Sequence, residues 1–143
     1  MNARMVKNIE PFSREELEDV LKPVEQATTL PARFYTDPDI YVLEREHILK
    51  KSWLCLGHTD QVSEVGYYFT LEVLGEPILV VRDKGDQIRI FSNTCRHRAH
   101  PVAEGSGNSP VFTCGFHRWT YNLDGSFRGA PQMEKAEGFN KKD

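Results

Sequence analysis

Two short motifs in the second half of the chain contain side chains that bind transition metals. Cys95 and His97 form a C-x-H pattern, and Cys114 and His117 form a C-x-x-H pattern after sixteen intervening residues. One or two residues between the members of a pair let both side chains turn towards a common point. Two thiolates and two imidazoles can hold either a [2Fe-2S] cluster or a tetrahedral zinc ion.

The alternation of ligand types favours the cluster over zinc. A usual zinc finger groups its two cysteines and groups its two histidines, whereas each motif here combines one of each. When two histidines replace two cysteines on one iron, the reduction potential rises to roughly −150 to +300 mV. The motifs therefore predict a one-electron carrier with Cys95, His97, Cys114 and His117 as ligands, and a structural zinc-binding module is the alternative.

Composition limits the partners and the location. The 143 residues are 39% hydrophobic, enough for one modest core, and the net charge of −3 gives no overall attraction to nucleic acid or to an anionic membrane. No apolar run approaches the ~18 residues of a membrane span, and no signal peptide is visible. Two of the three cysteines stand beside histidines, which favours metal ligation in a reducing compartment. We expect a cytoplasmic protein.

The chain reads as two helices followed by short strands. Ser13 and Glu16 form a capping box for a first helix that Pro23 ends, and residues 24–34 read as an extended linker. Asp37 caps a second helix that runs to Lys51. Short β-rich runs then alternate with turn residues, at 53–58, 66–73, 77–82, 87–91, 111–113 and 119–122.

Residues 35–132 resemble a known family, the N-terminal Rieske domain of the α subunits of Rieske non-haem iron (aromatic-ring-hydroxylating) oxygenases. The ligand motifs carry the resemblance, together with GEPILVVRD at 75–83 and WTYNLDG at 119–125. It implies a mainly β fold, a Rieske (ISP-type) antiparallel β-sandwich with a cluster-binding subdomain at 93–124, preceded by one or two short helices.

The same resemblance divides the chain into three parts. Residues 1–34 would be a helical arm and linker, and residues 35–132 the Rieske [2Fe-2S] domain. Residues 133–143 would be a charged tail at the start of a missing catalytic domain. The tail has no periodicity, and we expect it to be unstructured in isolation.

The resemblance also implies a function. Cys95 and Cys114 would bind one iron of a Rieske-type [2Fe-2S] cluster, and His97 and His117 the other, with the histidine edge as the electron exit. The domain would pass single electrons from a ferredoxin or flavin reductase to the mononuclear iron of a monooxygenase or dioxygenase, whose subunits often form homotrimers.

The family's mononuclear iron is held by two histidines and a carboxylate in a C-terminal domain. No histidine follows His117, so this chain has no complete catalytic site for that chemistry. The sequence therefore predicts either an oxygenase component or a stand-alone Rieske-type ferredoxin.

Two loop residues depart from the family pattern. Ala99 stands where the family usually has glycine, a mild change if its φ is negative. Arg118 stands where a small residue is common, and it places a cation beside His117 that would raise the potential or contribute to a docking surface.

Other residues have a structural interpretation. Cys55 lies in an apolar run and is predicted to be a core residue, and His58 a hydrogen-bonded turn residue. Trp119 and Tyr121 are predicted to pack. A basic cluster is either a solvated rim or a steering patch for an acidic redox partner, and it consists of Arg96, Arg98, His100, Arg118 and Arg128.

Overall fold

A computed structural model describes residues 13–133 and 136–139. The first part of the predicted arm, residues 1–12, and residues 134–135 and 140–143 of the predicted tail lie outside the described residues. The chain divides into two units whose boundary falls between Cys55 and Leu56. Across the described ranges, no helix is long and apolar enough to cross a membrane.

The first unit is helical, and the helix starts predicted at Ser13 and Asp37 are confirmed. The predicted ends are wrong, because the first helix ends at Glu18 rather than at Pro23, and the helix capped by Asp37 ends at His47 rather than at Lys51. The elements of this unit are α1 (Arg14–Glu18), α2 (Arg33–Thr36), α3 (Pro38–His47) and a 3₁₀ turn (Leu49–Lys51). The capping box is confirmed, because Ser13 Oγ accepts from the Glu16 N–H and the Ser13 N–H donates to the Glu16 carboxylate. Asp37 caps α3 by accepting from the Asp39 N–H, with Pro38 in the first turn.

An ion pair joins two of these helices. The Arg33 guanidinium donates from Nε to Glu16 Oε1 and from Nη2 to Oε2, each at 2.6 Å. The predicted extended linker at 24–34 is wrong at its end, because α2 already begins at Arg33. Two donors on two acceptors fix the relative orientation of the side chains as well as their distance.

The second unit contains two antiparallel sheets and a 3₁₀ turn (Thr59–Val62), which confirms the mainly β prediction. One sheet has the order β3-β2-β1-β4 and the other the order β5-β6-β7. The strands are β1 (Tyr67–Val73), β2 (Glu76–Arg82), β3 (Ile88–Ser92), β4 (Ser106–Asn108), β5 (Phe112–Thr113), β6 (Thr120–Tyr121) and β7 (Phe127–Gly129).

Strand β2 is buried on both faces. Leu79 and Val81 belong to a core cluster that includes Cys95, Cys114 and other apolar side chains. Val80, on the opposite face, packs in a second cluster. Successive side chains of a strand point to opposite faces, so a continuous apolar run suits a strand covered on both sides. The cysteines of both motifs therefore pack in the protein core, as part of the first cluster.

The predicted strand at 53–58 is wrong. These residues form no β-ladder in the structure, and Trp53 is fully exposed. Cys55 is also exposed and therefore is not the core residue predicted. A short apolar run has strand propensity, but it becomes a strand only where a partner backbone is available. His58 meets its prediction, because its Nδ1 accepts from the Asp60 N–H in a turn.

Candidate metal centre

The first motif lies in a closed loop between β3 and β4. The Cys95 N–H donates to the carbonyl of His100 at 2.8 Å, and the Ala99 N–H donates back to the carbonyl of Cys95 at 2.9 Å. These two hydrogen bonds define loop 1, residues 95–100. They bring the ends of the loop together and expose the side chains between them.

The second motif repeats this closure between β5 and β6. The Cys114 N–H donates to the carbonyl of Trp119 at 2.8 Å, and the Arg118 N–H donates to the carbonyl of Cys114 at 3.0 Å. These bonds define loop 2, residues 114–119. Ala99 and Arg118 are therefore equivalent, each four residues after a cysteine.

Both equivalent residues have left-handed backbone conformations. The φ angle is 57° at Ala99 and 64° at Arg118. The expectation that Ala99 would be a mild replacement depended on a negative φ, and that premise is wrong. Closing the loop requires the left-handed conformation, which explains why glycine suits this position and why both side chains here introduce backbone strain.

The two cysteines are buried and each is only 2% exposed. Neither forms a disulfide. The Tyr121 hydroxyl lies 3.3 Å from Cys95 Sγ and accepts from the Arg96 N–H at 3.1 Å. Burial, followed by the hydrogen bond with Cys95, raises the pKa of Tyr121 to about 12. The hydroxyl therefore keeps its proton at neutral pH and can donate it to the sulfur.

The two histidines are adjacent and nearly perpendicular. The ring centroids of His97 and His117 are 4.6 Å apart, with an interplanar angle of 77°. His97 is half-buried and His117 is exposed. Local desolvation, followed by the nearby charges of His97 and Arg98, lowers the pKa of His117. A lowered pKa favours the neutral imidazole, which is the form that binds a metal.

The four predicted residues thus form a buried pair of thiols and a pair of imidazoles nearer the surface. A structural zinc ion takes four ligands around one centre, whereas a [2Fe-2S] cluster with two histidines takes two protein ligands on each iron. The separation of a buried thiol pair from a more exposed imidazole pair fits the cluster better than it fits zinc.

Asn93 holds loop 1 in place, and the sequence analysis missed it. Its side chain is nearly buried, and its Oδ1 accepts from the Val102 and Ala103 N–H groups, each at 3.0 Å. Its Nδ2 donates to the carbonyl of Ala103 at 2.8 Å. A polar residue directly after an apolar strand was the only sequence signal, and it does not identify the partners.

Aromatic rings contact both imidazoles. Trp119 stacks on His97, and Phe116 lies against His117 with ring centroids 3.9 Å apart. Trp119 and Tyr121 pack as predicted, but the contact of Tyr121 with Cys95 was not foreseen. Phe139 packs against Trp119, so the prediction of an unstructured tail is wrong for this described residue. The basic cluster is exposed. Arg118 follows His117 in sequence, and Arg98 lies near enough for its charge to act on the His117 ring.

Two antiparallel sheets that carry paired C-x-H and C-x-x-H loops define an iron–sulfur domain of the Rieske class. Residues 52–140 match the model of the Rieske [2Fe-2S] domain. The chain belongs to this family, whose cofactor is the Rieske-type [2Fe-2S] cluster.

Two relatives that the chain resembles are oxygenase subunits. The oxygenase subunit of carnitine monooxygenase from Escherichia coli (strain K12) is 38% identical over 117 residues, which cover 81% of this chain and 31% of the relative. The alpha subunit of benzene 1,2-dioxygenase from Pseudomonas putida is 40% identical over 116 residues, covering 80% and 25%.

A solved structure supports the same relationship. A quaternary ammonium Rieske monooxygenase, whose structure gives insight into inter-subunit electron transfer, superposes with a TM-score of 0.75 at 39% identity, covering 81% of this chain and 32% of that one. These matches confirm the resemblance to oxygenase α subunits. The chain spans about a third or less of the length of these relatives.

Proposed function

We propose that this chain transfers single electrons within a Rieske oxygenase, through a [2Fe-2S] cluster held by Cys95, His97, Cys114 and His117. The observation that carries the proposal is the pairing of buried thiols with two imidazoles whose rings are 4.6 Å apart. When bound, the cluster supplies one-electron redox chemistry at roughly −150 to +300 mV.

The protein residues have distinct roles in this proposal. Cys95 and Cys114 would anchor one iron in the core. A ligated Cys95 sulfur has no proton, so the Tyr121 hydroxyl, 3.3 Å away, would be the donor in their contact. His97 and His117 hold the other iron nearer the surface, so the histidine edge is the electron exit. Hydrogen bonds to the sulfurs and the solvent exposure of the cluster both affect the reduction potential of such a site.

The proposal also includes the redox partners of the protein and the boundaries of its domains. The donor is a ferredoxin or flavin reductase, and the acceptor is an oxygenase catalytic domain with a mononuclear iron. The relatives are oxygenase subunits, which supports this acceptor. We assign residues 35–132 to the Rieske domain, 1–34 to an arm and 133–143 to a charged tail. A cytoplasmic location and a homotrimeric oxygenase are further parts of this proposal.

The donor approaches the basic side of the site. Arg98 and Arg118 are exposed, in a chain whose net charge is −3. Arg118 follows His117 in sequence, and the charge of Arg98 acts on the His117 ring. A local positive field attracts an acidic redox protein, and such steering raises association rates by about tenfold or more and fades with salt. An acidic ferredoxin fits this surface better than a basic donor.

Anaerobic stopped-flow kinetics test the proposal. Reduced acidic ferredoxin should reduce the oxidised protein, and the bimolecular rate should fall by roughly tenfold as salt screens the encounter. The double substitution R98Q/R118Q should lower the rate at low salt, whereas K84Q, an exposed cation in the β2–β3 turn, should not.

Two results would count against it. A bimolecular rate that changes neither with salt nor with the R98Q/R118Q substitution would exclude an acidic donor. If no one-electron donor reduces the cluster-loaded protein, the electron-transfer function itself is contradicted.

A further inference from the structure

The two proposed histidine ligands have different surroundings. The rings of His97 and Trp119 are 4.9 Å apart and nearly parallel, with an interplanar angle of 9°. This is the geometry of an offset stack, which contributes more than the burial of area alone. His117 has no comparable stack among the described residues, since Phe116 lies tilted at 40° to its ring. Within the described part of the chain, His97 is the one proposed ligand whose imidazole plane is matched by a neighbouring ring.

Two phenylalanine rings pack against Trp119. Phe127 contacts its ring at 5.1 Å and Phe139 at 5.7 Å, both with steep interplanar angles. Phe127 and Phe139 also contact each other. The indole is half-buried among these rings. A side chain packed on several sides has few alternative rotamers, so its exposed face offers a fixed plane.

Trp119 also connects the two loops. Its carbonyl accepts from the Cys114 N–H at 2.8 Å, so its backbone closes loop 2. Its ring stacks on His97, which belongs to loop 1. One residue therefore contacts both halves of the proposed centre, and its position depends on the closure of loop 2.

We propose that Trp119 is a positioning residue that fixes the imidazole plane of His97 for metal binding. This inference rests on the proposed function, because it takes His97 as a ligand. An imidazole turns about two side-chain torsions, and a ligand binds best when neighbouring groups restrict both. The stack provides that restriction at His97, while His117 stays exposed and without it.

The test compares substitutions in the full chain loaded with its cluster. Trp119→Leu removes the aromatic ring that stacks on His97, and Trp119→Phe retains a smaller ring there. Phe116→Leu removes the ring beside His117. The readouts are the rate of cluster release to a chelator and the histidine nitrogen couplings in pulsed paramagnetic resonance of the reduced protein.

We expect Trp119→Leu to release the cluster about tenfold faster, as substitutions next to metal ligands typically do, and to broaden the coupling of one histidine nitrogen. Trp119→Phe should largely restore both readouts, and Phe116→Leu should stay near the wild type. If Trp119→Leu does not fold, Trp119→Met, unbranched and without a ring, provides the same comparison.

Three outcomes would overturn the inference. If Trp119→Leu lowers only the melting temperature and leaves cluster release and the couplings unchanged, Trp119 contributes packing alone, and only its positioning role is contradicted. If Phe116→Leu matches Trp119→Leu, the effect is general aromatic cover. If the wild-type protein binds no cluster, the proposed function itself is contradicted.

Discussion

Ala99 and Arg118 occupy the same left-handed position in two loops that close with the same hydrogen bonds. A non-glycine residue in a sparsely populated backbone region costs about 1 kcal/mol or more. The loops retain this strain because the closing hydrogen bonds and the buried cysteines fix the backbone on either side.

Replacing Ala99 by glycine should relieve the strain. We expect A99G to raise the free energy of unfolding by about 1 kcal/mol, because glycine adopts positive φ without penalty. The measurement is urea denaturation of the loaded protein. Ala103→Gly is the matched control, since Ala103 is not among the described residues with positive φ, and it should lower stability. Equal losses in both variants would contradict the strain at Ala99.

At the scale of elements, Asn93 links the end of β3 to the chain that follows loop 1. Asn93→Ala would leave the Val102 and Ala103 N–H groups without their acceptor. Unpaired buried donors cost about 1–3 kcal/mol, so we expect a loss of about 2 kcal/mol in urea denaturation. Asn122→Ala, which removes one bond to Ser126 in a turn, should cost less than half of that. Equal losses would show that Asn93 does not hold the loop.

The link between α1 and α2 should depend on pH. The hydrogen bond from Arg33, followed by that from the Ser13 N–H, lowers the pKa of Glu16 from 4.5 to about 2. A carboxyl with a lowered pKa stabilises the folded state above its unfolded pKa and loses that contribution as pH falls through the folded pKa. The link should therefore be complete at pH 5 and weaken progressively between pH 4.5 and about 2.

Nuclear magnetic resonance titration of the Glu16 side chain measures this directly. Arg33→Gln should move the titration midpoint upward, towards 4.5. A midpoint that is the same with and without the guanidinium would contradict the ion pair.

The elements that the sequence predicts well are those set by local contacts. Caps at Ser13 and Asp37 involve partners two or three residues away. The run at 53–58 failed because strand formation depends on a distant partner. Strands β4 and β7 were missed because three-residue segments with glycine have too little apolar pattern to stand out.

The candidate site divides in the same way. The spacing of Cys95, His97, Cys114 and His117 identifies the candidate ligands because each pair is local. The stack joins Trp119 to His97, residues more than twenty positions apart in sequence, a separation that no local pattern encodes.

At the scale of the whole molecule, the second unit combines a rigid support with an exposed reactive edge. The cysteines lie in the core beside β2, and the exposed His117 lies among basic side chains. In the proposed function, burial of the thiols and exposure of the imidazole edge would separate the anchoring of a cluster from its contact with partners. This separation suits electron transfer, because a partner can approach without disturbing the core.

The central claim is that the four loop residues bind a [2Fe-2S] cluster, and one measurement tests it most directly. It is the iron and acid-labile sulfide content of anaerobically purified protein, with paramagnetic resonance after dithionite reduction, for the wild type, His117→Cys and Cys55→Ser. We predict two irons and two sulfides per chain. The histidine-ligated signal should change in His117→Cys and persist in Cys55→Ser. Zinc, or no metal after reconstitution, would contradict the account.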